Sequence, residues 1–149
     1  MEFVKLMKLK VLEKISPELS QHIDNEIKRL IDERNREYDV YKIIDQYSLL
    51  ENTPISILKS NDIKTSVVES KREICIIFYL LNCPFYRFYG INEKMQKEEV
   101  KQLCDALNIS KGKYCTYISS AKHYYRIYAD FRRRIDNYLL TENISHFYK

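Results

Sequence analysis

The residues of this chain whose types and spacing suggest chemistry lie in the stretch 111–138, KGKYCTYISSAKHYYRIYADFRRRIDNY. Lys113, Thr116, Tyr117, Ser120 and Tyr124 recur at helical steps and would share one face. They present donors, acceptors and flat rings, with no acidic residue before Asp130. Between 111 and 134 seven Lys or Arg stand against a single Asp. Such a face suits recognition of a polyanion. Thr116, Tyr117 and Ser120 would approach base edges, since a hydroxyl can donate or accept and a Thr methyl can meet a thymine methyl. Lys111, Lys113, Lys122 and Arg126 would hold phosphates and set the register. A helix starting near Lys113 adds its own preference for a phosphate.

Bond-breaking chemistry finds little support. The histidines, His22, His123 and His146, are far apart and form no metal spacing. Cys115 and His123 are about two turns apart, too far for a nucleophile and base on one helix. Gly90 and Gly112 are the only glycines, so a phosphate-cradling Gly-rich loop is excluded. Cys75, Cys83, Cys104 and Cys115 show no C-x-x-C spacing and read as reduced thiols. The expectation is a protein that is not an enzyme and takes no metal or cofactor.

The elements that position this face follow from periodicity. Tyr114, Ile118, Ala121, Tyr125, Tyr128 and Ile135 fall at steps of three and four and predict the buried side. Ahead of them, residues 97–107 carry a short apolar stripe of Val100, Leu103, Cys104 and Leu107, and residues 108–112 can turn. A short helix, a tight turn and a basic helix together predict a helix-turn-helix. Charge agrees: the net +4 comes from a +5 excess after residue 110 and −1 before it.

Two glycines and three prolines in 149 residues favour helices over a turn-rich β fold. Residues 1–15 predict an amphipathic helix burying Phe3, Leu6, Met7 and Val11; the scattered lysines and missing cleavage site do not suit a signal peptide. Ser16-Pro17-Glu18 starts a second helix with Leu19, Ile23, Ile27, Leu30 and Ile31 on one face. Its outer face reads either as solvated or as a homodimer contact. Asp39 can cap a helix with Val40, Ile43, Ile44 and Tyr47, and Thr53 can cap the short turn begun by Pro54. From Thr65 or Ser66 to Leu81 a longer helix turns apolar nearly all round at ICIIFYLL, which predicts the central buried helix. That apolar run is far too short to span a bilayer. Residues 83–92 predict an aromatic loop that either folds over the core or stacks on single-stranded bases. After Leu140 the tail is expected to fray.

In this order of elements, residues of about 39–137 resemble the C-terminal DNA-binding domain of the bacterial replication initiator DnaA. The family's first helix and its "ledLLs" turn match YKIIDQYSLLENTPISILKS, and its "IVEARQIAMYL" helix matches VVESKREICIIFYLL. Its "GGRDHTTVLHA" helix and closing "kFRR-ID" match GKYCTYISSA and ADFRRRID. The resemblance implies that the second helix of the helix-turn-helix enters the major groove while a basic loop residue enters the minor groove. Gly112 and Lys113 match the family's Gly-Arg, Thr116 its first Thr, Ile118 its Val and Ala121 its closing Ala. Tyr114, Cys115 and Tyr117 stand where the family has Asp, His and Thr. Lys64, with Lys59 or Lys71 as a further candidate, would be the groove or phosphate contact, and Arg72 matches the helix Arg with a slip of one. The base-reading Asp-His pair is missing, and about ten extra residues precede the helix-turn-helix. The resemblance therefore implies the fold, with a site preference unlike the initiator's.

The expected architecture is all-α: a helical extension 1–38, a Trp-repressor-like helix-turn-helix domain 39–140 and a tail 141–149. The expected function is sequence-specific binding of double-stranded DNA by a cytoplasmic, membrane-free regulator of replication or transcription without an ATPase, of phage or mobile-element type. The alternative is a helical interaction protein that inhibits a host protein through its N-terminal helices and aromatic loop.

Overall fold

A computed structural model describes residues 2–149, the side chains of 141 and 142 excepted. The described residues are all-helical apart from turns and one antiparallel bridge, Tyr38 with Tyr148. None of the described helices is long and apolar enough to cross a membrane. The chain divides into two compact units, Met1–Asn35 and Arg36–Lys149.

The first unit is a hairpin of α1 (Glu2–Ile15) and α2 (Pro17–Arg34). Ser16 turns the chain: its Oγ accepts the Leu19 N–H at 3.4 Å, and Pro17 occupies the first helical position, where no N–H is needed. The expected burial of Phe3, Leu6, Met7 and Val11 is not found. All four are exposed, Phe3 to 73%, and α1 has no buried residue. Two helices can cover only the stripe between them, and this unit has no third element.

The second unit begins at Arg36, earlier than the expected break after residue 38. Tyr38 is buried against the Tyr148 ring, 5.6 Å between centroids, and the Asp39 N–H donates to the Phe147 carbonyl at 2.7 Å. The tail is therefore docked rather than frayed. After α10 (Thr141–Ile144) a 3-10 turn, Ser145–Phe147, delivers Phe147 into the core at 1% exposure. Arg36 donates to the Tyr148 hydroxyl, and Lys42 Nζ to the Tyr148 carbonyl at 2.6 Å. An aromatic pair at the chain end supplies the apolar area that holds it.

Asp39 caps α3 (Val40–Leu50), its carboxylate accepting the Tyr41 N–H at 2.9 Å. The one-turn helix α4 (Ile55–Leu58) follows, and Thr53, the expected cap, instead donates to the Glu51 carbonyl. The central element is α5 (Thr65–Asn82), in which every residue from Ile74 to Asn82 is buried. An element buried all round must be wrapped by others, and α3, α4 and four later helices pack on it. The aromatic stretch expected as a loop forms α6 (Pro84–Tyr89), because Pro84 starts it and Gly90, at φ +66°, closes it in the left-handed region. Tyr86 packs on the core with its ring edge toward Tyr79, while Phe88 and Tyr89 stay exposed.

Next come α7 (Lys97–Leu107), α8 (Lys111–Ile127) and α9 (Ala129–Tyr138). Asn108, left-handed at φ +53°, ends α7, and Ser110 starts α8 by accepting the Lys113 N–H at 3.1 Å. Tyr114, Ile118 and Ala121 bury one stripe of α8, chiefly against α5. Tyr125 is half-buried and Tyr128, expected to be buried, is exposed where the chain breaks from α8 into α9.

Candidate nucleic-acid interface

Burying Tyr114, Ile118 and Ala121 leaves α8 two flanks, and the residues singled out from sequence divide between them. Steps of three and four place Lys113, Thr116, Ser120 and Tyr124 together on the first. Steps of four and seven place Lys111, Cys115, Lys122 and Arg126 toward the second.

The first flank meets the N-terminal half of α5. Lys71 lies near enough to Lys113 that, after burial, the Lys113 charge is the next influence lowering the Lys71 ammonium from its ordinary value. Arg72 stacks its guanidinium over the Tyr124 ring, 5.1 Å to the centroid, with its buried Nε lacking any acceptor. Thr116 and Lys113 are exposed, Ser120 half-exposed, and Tyr117 is partly packed on the core. Both hydroxyls currently bond back along their own helix: Thr116 to the Gly112 carbonyl at 3.2 Å, Ser120 to that of Thr116 at 2.8 Å. A single χ1 rotation would turn either outward.

The loop between α4 and α5 is fastened beside this flank. Asn108 Nδ2 donates to the Lys59 carbonyl at 3.3 Å and to Asn61 Oδ1 at 3.4 Å. Lys71 Nζ donates to the Ser60 carbonyl at 2.6 Å, which commits Lys71 to holding the loop. Asn108 thus ties the α7–α8 turn to this loop. Lys64 points into solvent, its side chain 79% exposed and its Nζ 3.8 Å from Asp62. Lys59 sits over the Tyr41 ring.

The second flank borders a groove of about 730 Å³ between α8, α7 and the segment before α7. Lys111, Cys115 and Lys122 line it with Lys94, Lys97 and Lys101, above a floor of Met95, Val100, Tyr114 and Ile118. Lys122 does not stand free as a phosphate contact should. Its Nζ lies 4.2 Å above the Tyr79 ring and 4.8 Å above that of Tyr86, and burial lowers its ammonium. Arg126 is exposed near Tyr86. Tyr114, expected among the DNA contacts, is 7% exposed and packs into the core at the floor of the groove, away from the first flank.

The arginine run divides three ways. Arg132 donates to the carbonyls of Tyr125 and Arg126 at the end of α8. Arg133 lies 3.8 Å from Asp130, and Arg134 reaches Glu51 at 2.7 Å and Glu73 at 3.1 Å. This last network escaped sequence reasoning; the signal was Glu73, an acid at the head of an otherwise apolar run. No group of three or more His, Cys, Asp or Glu placed to hold a metal occurs among the described residues.

Comparison with protein families, with curated proteins and with solved structures finds no match to this chain.

Proposed function

We propose that the unit Arg36–Lys149 binds double-stranded DNA in a sequence-specific way, with α8 as the reading helix in the major groove. The observation that carries this reading is the acid-free first flank of α8, where Lys113, Thr116 and Ser120 stand beside Lys71 and Arg72 of α5. Exposed Lys and Arg would take phosphates, and the short polar side chains would take base edges. Support also comes from the short α7–turn–α8 arrangement, which suits a helix-turn-helix, and from the resemblance of residues 39–137 to the DnaA DNA-binding domain. On this reading Lys64 and its fastened loop track the neighbouring backbone or minor groove. A role in regulating replication or transcription, in a phage or mobile element, follows from that resemblance alone.

Binding of random-sequence duplex at about 50 and about 200 mM salt tests it. Wild-type binding should fall steeply between the two, and Lys113→Glu should abolish it. Lys111→Glu, on the groove side, should weaken it far less. Absence of binding by the wild type at the lower salt would reject the reading.

The second reading, a helical interaction module that blocks another protein, is favoured by the lysine-rimmed groove with its apolar floor. An acidic amphipathic helix would fit it in shape and charge. Under that reading Lys111→Glu and Lys101→Glu abolish partner binding while Lys113→Glu does not.

A further inference from the structure

We propose that the hairpin of α1 and α2 pairs with the same hairpin of a second copy of this chain, making a four-helix bundle. On α1, Phe3, Met7 and Val11 recur every fourth residue, exposed to 73%, 49% and 48%, and Val4, Leu6 and Leu9 beside them are as open. On α2, Leu19, Ile27 and Ile31 continue a similar stripe at 44–48%. Leu30 is the one residue of this unit that is buried among those described. A hairpin of 35 residues is below the size at which a chain closes a core unaided. Neither of the usual substitutes is at hand, because residues 1–35 contain no cysteine and no metal cluster among the described residues. A second copy would supply the missing layer.

Charge names the partner. Helix α1 carries four lysines and two glutamates, and α2 carries three basic and five acidic residues. Each α1 is thus +2 and each α2 is −2. About a two-fold axis, α1 of one copy faces α2 of the other, so the four helices alternate in sign and like charges meet only across the diagonal. The lengths agree as well, since 14 and 18 residues span about 21 and about 27 Å, a difference of roughly one turn. An unrelated partner would have to reproduce this alternation, whereas a second copy has it by symmetry. This inference does not depend on DNA binding.

Sedimentation of the full chain over about 1–100 µM tests it. The wild type should show twice the 18.0 kDa chain mass. Met7→Glu/Val11→Glu should sediment as a monomer with the tyrosine near-ultraviolet signal of the second unit unchanged. A chain with Lys5, Lys8, Lys10 and Lys14→Glu should dimerise poorly with itself. It should pair on mixing with a chain carrying Glu18, Asp24, Glu26 and Asp32→Lys. A monomeric wild type, a dimer insensitive to Met7→Glu/Val11→Glu, or a failure of the charge-swapped chains to pair would each overturn the proposal. Residual binding of the monomeric variant to random duplex, still abolished by Lys113→Glu, would keep the two proposals separate.

Discussion

Arg134 on α9 and Glu73 on α5, 61 positions apart in sequence, meet at 3.1 Å. Glu73 also accepts the Tyr47 hydroxyl at 2.6 Å, and Arg134 continues to Glu51, which accepts the Tyr138 hydroxyl at 2.8 Å. The rings of Tyr47 and Tyr138 stack at 5.7 Å between them. A nearly buried carboxylate is tolerable only with such partners. The network ties α9 to α3 and α5.

Removing the guanidinium strands the Glu73 carboxylate. Arg134→Met should cost about 2 kcal/mol, below the usual loss for a broken buried pair because the Arg134 side chain is 47% exposed and water screens part of its charge. Urea unfolding followed by circular dichroism measures it. Arg134→Met/Glu73→Gln should recover more than half of the loss, since no uncompensated charge remains; a double variant no more stable than the single one would show that the pair is not the cause.

Alkaline pH should unfold this protein through its tyrosines. Burial, the largest cause in each case, raises the phenols of Tyr47, Tyr79, Tyr114, Tyr125 and Tyr138 above their ordinary value. A raised folded value means that the folded state keeps the proton longer than the unfolded one. The stabilisation is complete below about pH 10, the unfolded value, and is lost as pH rises from there through the folded values. Tyrosinate absorbance of the buried set should rise only together with loss of helix. Ionisation of that set with the helix intact would contradict this.

The docked tail should contribute to stability. Phe147 is 1% exposed and lies in the core, so Phe147→Ala should cost about 3–4 kcal/mol. Thermal unfolding compared with Tyr89→Ala, an exposed ring, provides the control. Equal effects for the two would mean that the tail is not part of the core.

Much of the helical plan was legible in particular residues. Ser16-Pro17 and Asp39 start helices as their chemistry requires, and Ile74–Leu81 is the buried centre that its unbroken apolar run implies. The sequence did not reveal what long-range packing decides. Phe147 and Tyr148 lie near the chain end, where local pattern suggests fraying, yet Arg36, Tyr38, Asp39 and Lys42, more than a hundred positions away, hold them. Phe3 and Met7 have the spacing of buried residues, but spacing cannot say whether anything lies opposite. On α8, periodicity separated the buried stripe from the rest. It could not tell that Lys122 would fold onto Tyr79 and Tyr86 while Lys113 stayed open, because the rings come from other elements.

Asn108 performs two separable tasks, one in the backbone and one in the side chain. Its φ of +53° suits Asn or Gly and strains alanine, while its amide ties the α7–α8 turn to Lys59 and Asn61. Asn108→Ala should cost about 1–2 kcal/mol through backbone strain and the lost ties, and Asn108→Gly less than about 0.5 kcal/mol, since relief of strain offsets the lost bonds. If α8 reads DNA with Lys64 and its loop positioned alongside, the two variants should behave differently in binding. Asn108→Gly should keep its melting temperature and yet bind random duplex several-fold more weakly, because the loop is no longer fastened to the turn. Calorimetric melting with parallel fluorescence titration at about 50 mM salt separates the two effects. A glycine variant that melts and binds like the wild type would show that the fastening of the loop has no part in the interface.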